Sequence, residues 1–199
     1  MLVVDQSSRA HEHVVLRSMF AARKHIFVDL LQWDLPVLGD RFEVDDRDGP
    51  GATYLIVADE GGGHLASARL LQAQAASLRA LSGDTGARPL GAPGVAEVTH
   101  LCVSPDIELA ERRRARNRLL HGLVEHALAN RIRHFIGIAE EPSARRIERL
   151  GWACRRLGVV PAGCGRSAVA VAVDVDPTTP GRLVAAGTVR PAATGRFSS

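Results

Sequence analysis

The sequence contains few cysteines and no long apolar run. Its three cysteines, Cys102, Cys154 and Cys164, form no CxxC pair, and this favours free thiols in a reducing compartment over a metal or redox role. No apolar run reaches the roughly 20 residues that a membrane-spanning helix needs. The first residues lack a basic start followed by a long apolar core. We therefore predict a cytoplasmic protein without a membrane partner.

The histidines and arginines do not show the patterns of a metal site or a nucleic-acid site. His121, His126 and His134 have no partner ligands at fixed offsets, so surface histidines explain them better than a metal does. The arginine clusters lack interleaved aromatic residues, and aromatics are only 4% of the chain, whereas single-stranded nucleic acids stack on aromatic rings. We predict no metal and no nucleic-acid partner.

The composition is that of an ordinary globular protein, except that its arginines are clustered. The 199 residues are 46% apolar and 24% charged, which is enough for one domain with a real core. The formal net charge is only +3, but arginines concentrate in residues 112–118 and 145–156. Such clusters favour an anionic partner, and the alternative is a solvated helix face.

Apolar periodicity and turn signals predict a mixed α/β fold. Apolar positions over residues 8–30 recur at helical spacing, and EGGG joins two strand-like runs into a hairpin. The predicted elements are helices over 8–30, 115–131 and 141–151, and strands over 53–59, 64–71, 95–103, 134–140 and 167–175. Their order predicts one mixed, splayed sheet covered by helices on both faces.

Two segments are predicted to be irregular. Residues 72–94 are rich in Ala, Ser, Gly and Pro, and we expect a long loop of the kind that serves as a functional lid. Residues 177–199 show little apolar periodicity and are predicted to be a flexible C-terminal tail. We therefore place a single domain over residues 1–176.

Charged residues inside apolar strands indicate a candidate site. Arg69 lies near the end of the run HLASARLL and Glu97 lies within VAEVTHLCV, where a charge is costly unless it is paired or used. The segment EVDDRD adds Asp45 and Asp48, and RKHIFVDLLQW adds Arg23 with two aromatic residues. The alternatives are a structural ion pair for the strand charges and a solvated turn for the aspartates.

The ordered set of these residues resembles the acyl-homoserine-lactone synthases, the LuxI-type enzymes that make quorum-sensing signals on a GNAT acyltransferase fold. The matching residues are Arg23, Phe27, Trp33, Glu43, Asp45, Asp48, Arg69 and Glu97. The segment LGWACRRLG also resembles the family, and the likeness covers about residues 15–165. The departure from the family that matters most is His100, which stands where the family has arginine, so a permanent charge is missing there.

The resemblance implies two substrates and no cofactor. They are S-adenosylmethionine and an acyl thioester on acyl carrier protein or coenzyme A; an amide forms first, and lactone closure then releases methylthioadenosine. The implied catalytic residues are Glu97, as a base acting through water, with Arg69, Asp45 and Asp48. The implied substrate-binding residues are Arg23, Phe27, Trp33, His100, Cys102 and Val103. The residues implied to dock acyl carrier protein are Arg112, Arg113, Arg116, Arg145 and Arg146.

Several alternatives stay open at this point. The loop RRRARNRLLHG lacks the glycines that bring a backbone close to a pyrophosphate, yet a GNAT acyltransferase that uses acyl-CoA on another amine remains possible. Because of His100, so does a diverged homologue that binds S-adenosylmethionine without turnover. For Phe27 and Trp33 the alternative is plain core packing.

Overall fold

The computed structural model describes residues 1–5, 7–8, 12–73, 94–162 and 166–188. The strands are β1 (Leu2–Val4), β2 (Val37–Leu38), β3 (Phe42–Glu43), β4 (Thr53–Ala58), β5 (His64–Gln72), β6 (Val95–Val103), β7 (His134–Ala139), β8 (Ala153–Ala162) and β9 (Arg166–Asp174). The helices are α1 (His13–Arg23), a π-helix (Lys24–Leu30), α2 (Leu109–Ala129), α3 (Glu141–Glu148) and α4 (Thr179–Ala185).

The described residues divide into two compact units. The first unit contains residues 1–5, 7–8, 12–70 and 100–122. The second contains residues 71–73, 94–99, 123–162 and 166–188. Strands β5 and β6 and helix α2 therefore contribute residues to both units.

The first unit is built on antiparallel strands. β4 lies between β1 and β5, with Leu2 opposite Ile56 and Tyr54 opposite Arg69. The four residues 54–57 of β4 are fully buried, as expected of a strand that is covered on both faces and is apolar throughout. Because Arg69 lies opposite Tyr54 in this covered layer, its side chain is buried as well.

The second unit contains the parallel pair of strands. β6 runs parallel to β7 from Val95 opposite His134 to Glu97 opposite Ile136. β7 pairs antiparallel with β9, and β9 pairs antiparallel with β8. Among the described residues the β6–β7 pairing ends at Glu97, although both strands continue, so the two strands diverge there. Val95 and Ile136 pack in one apolar cluster of this unit.

The predicted fold class is confirmed. The strand order is β1-β4-β5-β6 in the first unit and β5-β6-β7-β9-β8 in the second. Parallel and antiparallel pairs occur together, and helices separate β6 from β7 and β7 from β8 along the chain. This is the mixed α/β arrangement that the element order predicts.

Several predicted boundaries are wrong. The first helix begins at His13, not at residue 8, and continues as a π-helix to Leu30. α2 begins at Leu109, not at residue 115. β1 and β8 were not predicted; β8 is the last strand in the order and carries the exposed side chains of Arg155 and Arg156, which interrupt its apolar pattern as is common in edge strands.

Part of the predicted tail is a helix. α4 spans Thr179–Ala185 and buries the side chains of Thr179 and Leu183 completely, so the prediction of an irregular tail is wrong for these residues. The boundary at residue 176 stays a prediction. Most of the predicted loop over 72–94 and residues 189–199 lie outside the described residues. None of the helices that the structure describes is long and apolar enough to cross a membrane.

Candidate active site

Five charged side chains of the first unit form one buried ion-pair network. This charge network consists of Arg23, Glu43, Asp45, Asp48 and Arg69. Arg23 is the last residue of α1, Glu43 is the last residue of β3, the two aspartates lie in the loop that follows, and Arg69 lies on β5. A helix, a loop and a strand therefore meet through charge pairs.

Asp48 is the centre of the charge network. Its two oxygens accept hydrogen bonds from Nη1 and Nη2 of Arg23 at 2.9 and 3.0 Å. Nη1 of Arg69 lies 2.7 Å from Oδ1, and the hydroxyl of Tyr54 donates to the same oxygen at 2.8 Å. Such charge-assisted, partly bidentate bonds fix the positions of both guanidinium groups.

The other two carboxylates complete the pairing. Arg69 donates from Nη1 and Nη2 to the two oxygens of Asp45 at 2.5 and 2.8 Å. The backbone N–H of Asp45 donates to Oδ2 of Asp48 at 2.9 Å. Arg23 donates from Nε to Oε2 of Glu43. Each arginine therefore contacts two carboxylates, and each is held in a single orientation.

Burial makes this network costly to disturb. The side chains of Arg23 and Glu43 are 1% and 0% exposed. Burial raises the pKa of Asp48, but the hydrogen bonds and charge of Arg23 outweigh this effect and hold the pKa well below its usual range. Burial likewise raises the pKa of Glu43, but hydrogen bonds from His100 and Arg23 leave it below its usual value. Both groups are therefore ionised at neutral pH.

His100 borders the charge network from β6. Its Nε2 lies 3.5 Å from Oε2 of Glu43. Its backbone is left-handed, with a φ of 50°, a conformation that costs a residue with a side chain about 1–3 kcal/mol and persists where the surrounding structure requires it. The left-handed residue interrupts the regular strand, and the imidazole is placed beside the carboxylate.

An aromatic pair lies next to His100. The rings of Phe27 and Trp33 stack with centroids 5.0 Å apart, and Phe27 meets the His100 ring edge-on at 5.2 Å. Phe27 is buried within the π-helix, while Trp33 is half-buried. π-helical turns occur often at functional sites, and here the turn presents the aromatic pair beside the charged groups.

The network also contains a set of potential metal ligands. Glu43, Asp45 and His100 each offer one ligand atom, and these atoms lie within 4.8 Å of one another. However, Glu43 and Asp45 already accept hydrogen bonds from Arg23 and Arg69. A cation bound there would face two guanidinium groups, so the donor set fits an ion-pair network better than a metal centre.

Glu97 belongs to the second unit. It lies on β6 opposite Ile136 of β7 and is buried, with 8% of its surface exposed. It is the last paired residue before the two strands diverge. Its predicted role as the base stays a prediction.

Comparison with known proteins decides the family. The profile of the autoinducer synthase family matches residues 5–183. The chain belongs to the autoinducer synthase family. An acyl-homoserine-lactone synthase from Ralstonia solanacearum is 29% identical over 164 residues, which cover 79% of this chain and 80% of the relative.

Solved structures agree with the fold of the family. The coenzyme A-dependent acyl-homoserine lactone synthase MesI superposes with a TM-score of 0.74 at 24% identity, covering 97% of this chain and 98% of MesI. BjaI, a coenzyme A-dependent synthase solved with SAM and isopentyl-CoA, gives 0.73 at 22% identity, covering 96% and 89%. These structures establish the fold, and with the family match they confirm the predicted enzyme class, an acyltransferase of the acyl-homoserine-lactone synthases.

Two residues that the resemblance assigns to substrate binding in this autoinducer synthase lie at the end of β6. Cys102 is buried, and its Sγ contacts Oγ of Ser67 at 3.5 Å and Nε2 of His64 at 3.9 Å. Burial raises the pKa of the Cys102 thiol to about 11, so it stays protonated. Val103 is half-buried. The thiol therefore packs in a small polar cluster, and its predicted role in binding substrate stays a prediction.

The arginines predicted to dock a carrier protein lie on two helices. On α2, Arg113 is exposed, Arg112 is half-buried, and Arg116 donates to Oδ1 of Asn117 at 3.1 Å. On α3, Arg145 and Arg146 are exposed. Arg145, Arg146 and Arg149 line a surface cleft of about 480 Å³ together with Glu141 and Pro142. The docking role itself stays a prediction.

Two members of this arrangement were absent from the predicted site. Glu43 matches the family pattern, but its pairing with Arg23 and its closeness to His100 depend on the path of the loop. Tyr54 donates to Asp48 from within the apolar strand β4. A lone tyrosine hydroxyl in a buried strand needs a polar partner, and this signal could have indicated Tyr54 from the sequence.

Proposed function

We propose that this autoinducer synthase makes an acyl-homoserine lactone from S-adenosylmethionine and an acyl thioester. The single observation that carries the proposal is the charge network beside the Phe27–Trp33 stack in a member of this family. BjaI, which has the same fold, binds SAM and isopentyl-CoA. The proposal gives this chain the same two kinds of substrate.

The chemistry of the network suits S-adenosylmethionine. The substrate carries a sulfonium and an ammonium group, and both are attracted to carboxylates and to aromatic faces. The half-buried ring of Trp33 offers such a face, and Asp45 is the most exposed acid of the network, with 18% of its side chain accessible. The aromatic pair and Asp45 are therefore our binding determinants for the cationic part.

The two arginines have a positioning role in this proposal. Arg23 and Arg69 are 1% and 2% exposed and already hydrogen-bond to carboxylates. A guanidinium held in this way has little freedom to take a substrate carboxylate. We assign them instead the task of fixing Asp45 and Asp48 in place before the substrate arrives.

The first step forms the amide. The methionine amine nitrogen attacks the thioester carbonyl carbon; a C–N bond forms, the C–S bond breaks, and the thiol leaves with a proton. The amine must first lose a proton, and Glu97 is our base, acting through water. Backbone N–H groups near His100, where β6 leaves regular geometry, are our donors for the oxyanion.

The second step closes the lactone. An oxygen of the methionine carboxylate attacks the Cγ methylene carbon of the methionine part, which is bonded to the sulfonium sulfur. A C–O bond forms, and the bond between Cγ and sulfur breaks. Sulfur keeps the electron pair, so neutral methylthioadenosine leaves without any proton donor. The site must hold the methionine part of the substrate in a bent conformation for this attack. Asp48 and the carboxylates next to it are fixed in position and supply a rigid surface for this purpose.

The thioester donor is proposed to be acyl-CoA or an acyl carrier protein. MesI and BjaI are coenzyme A-dependent, whereas the exposed cleft of Arg145, Arg146 and Arg149 has the charge to meet an acidic protein. Replacing Arg146 and Arg149 by glutamate should raise KM for an acyl carrier protein much more than KM for acyl-CoA. The matched control is Arg133→Glu, an exposed arginine outside this cleft; equal effects on both donors would reject the cleft as a docking site.

The overall proposal is tested by mass spectrometry of culture extracts. Cells that express the chain should accumulate a lactone whose mass identifies the acyl group, and cells that express Asp48→Asn should not. Absence of any acyl-homoserine lactone, with folded protein present, would contradict the proposal. In that case the remaining candidate would be acylation of another amine, measured as acyl-CoA consumption without S-adenosylmethionine.

A further inference from the structure

Tyr54 carries a buried hydroxyl that takes no part in the two proposed chemical steps. The residue lies within β4 and is completely buried, as are its neighbours Leu55, Ile56 and Val57. Phenylalanine would fill almost the same space without bringing a hydroxyl into the interior, where such a group is costly unless it is hydrogen-bonded. The hydroxyl therefore calls for a purpose that the aromatic ring alone does not serve.

The hydroxyl donates to the centre of the charge network. Its hydrogen bond goes to Oδ1 of Asp48 at 2.8 Å. The same oxygen is approached by Nη1 of Arg69 at 2.7 Å and by Nη1 of Arg23 at 2.9 Å. These three donors come from β4, β5 and α1. A carboxylate that is held from three elements has little freedom to rotate, so Tyr54 helps to set the orientation of Asp48.

The orientation of Asp48 in turn sets that of Asp45. Arg69 contacts Asp48 and also donates from Nη1 and Nη2 to the two oxygens of Asp45 at 2.5 and 2.8 Å. In addition, the backbone N–H of Asp45 donates to Oδ2 of Asp48 at 2.9 Å. A rotation of the Asp48 carboxylate would therefore disturb both contacts that hold Asp45, the acid that we assign to the cationic part of S-adenosylmethionine.

Packing fixes the ring that carries the hydroxyl. Tyr54 lies opposite Arg69 in the register of β4 and β5. Phe20 of α1 meets the Tyr54 ring edge-on with the centroids 5.8 Å apart. The guanidinium carbon of Arg23 lies 5.2 Å from the centroid of the Phe20 ring. The direction of the hydroxyl is therefore set by the fold before any substrate binds.

We propose that Tyr54 is a positioning residue for S-adenosylmethionine. Its hydroxyl holds Asp48, and through Asp48 it holds Arg69 and Asp45, in the orientation that binds the cationic part of this substrate. This inference rests on the proposed function, which assigns Asp45 to that substrate. It concerns one of the two substrates only, so the affinity for the acyl thioester should not depend on the Tyr54 hydroxyl.

The test deletes the hydroxyl and keeps the ring. Tyr54→Phe should raise KM and the calorimetric Kd for S-adenosylmethionine about tenfold and leave KM for acyl-CoA within about twofold of the parent. The matched control is Thr179→Val, which removes a completely buried hydroxyl of the second unit that accepts from the backbone N–H of Asp176 at 3.0 Å. This control should lower the unfolding midpoint and change neither KM, as expected of a hydroxyl with a structural role alone.

The outcomes separate this inference from the proposed function when all proteins are compared well below their unfolding midpoints. An unchanged Kd for S-adenosylmethionine in Tyr54→Phe would overturn the inference, and so would equal rises in KM for both substrates. A parent that makes no lactone but binds S-adenosylmethionine more tightly than Tyr54→Phe does would reject the proposed function and support the role of Tyr54. A parent that neither makes lactone nor binds S-adenosylmethionine would reject both.

Discussion

The molecule holds two clusters of paired charges, and they differ in burial. In the first unit, Arg23 and Asp48 pair with side chains that are each 1% exposed. In the second unit, α3 and β8 carry an exposed cluster in which Arg156 bonds Glu141 at 2.9 Å and Glu148 at 2.6 Å. The side chains of this exposed cluster are 31–65% accessible. Similar ion pairs therefore exist in two very different environments.

The difference shows what burial adds to an ion pair. In water, pairs such as Arg156–Glu141 are screened, and their partners can find other hydrogen bonds. In the interior, removal of one partner leaves an uncompensated charge that water cannot solvate. The charge network is thus rigid and intolerant of substitution, which suits a surface that positions a substrate. The exposed cluster should tolerate substitution.

The largest effect is expected for Asp48→Asn. The substitution keeps the shape but removes the charge that joins Arg23, Arg69 and Tyr54, so we expect a loss of about 3–5 kcal/mol in the free energy of unfolding. Urea denaturation measures it. Asp46→Asn is the matched control, since Asp46 is exposed two residues away, and equal losses in both variants would contradict the importance of the buried network.

A smaller effect is expected for Arg23→Lys. The charge is kept, but one ammonium cannot bind Glu43 and both oxygens of Asp48 with the geometry of the guanidinium. We expect a loss of about 1–3 kcal/mol in unfolding free energy and slower lactone formation. The control is Arg17→Lys, an exposed arginine on the same helix. Unchanged stability in Arg23→Lys would show that charge alone suffices.

The pH dependence of stability gives a graded effect. Asp48 and Glu43 have pKa values below those of an unfolded chain, so their stabilising contribution is present above the ordinary carboxyl range and is lost as the pH falls through the folded pKa values. Unfolding free energy should therefore decrease as the pH falls below about 5 and should still be decreasing at about pH 2. The decrease should be shallower in Asp48→Asn; identical slopes would contradict this explanation.

The smallest effect is expected in the exposed cluster. Arg156→Ala removes the bonds to Glu141 and Glu148, but both carboxylates are then hydrated, so the unfolding midpoint should stay close to that of the parent. Added salt should reduce even this small difference. Thermal melts at low and high salt measure it, and a shift comparable to that of Asp48→Asn would erase the contrast between the two clusters.

The sequence was informative about which residues matter and less so about their partners. Arg69 and Glu97 stood out because a charge in an apolar strand has to be paired or used. The pairing of Arg23 with Glu43 and Asp48 spans 20 and 25 residues, and no local pattern contains that information. Likewise, nothing in the run VAEVTHLCV indicates the left-handed backbone of His100.

The missed elements have equally physical causes. α4 starts in TPG and was predicted to be part of a flexible tail because its segment shows little apolar periodicity; yet proline is well tolerated in the first turn of a helix. β8 carries Arg155 and Arg156 on consecutive residues, a pattern that hides a strand which, among the described residues, pairs with β9 alone. Edge strands and short terminal helices gain their stability from neighbours, which periodicity alone cannot show.

Release of methylthioadenosine from purified protein tests the central claim most directly. With S-adenosylmethionine and a series of acyl-CoA and acyl carrier protein donors, the parent should release one methylthioadenosine for each lactone formed, and Asp48→Asn should release none under conditions where it stays folded. Acyl transfer by the parent that leaves S-adenosylmethionine intact, or full release by Asp48→Asn, would contradict the account.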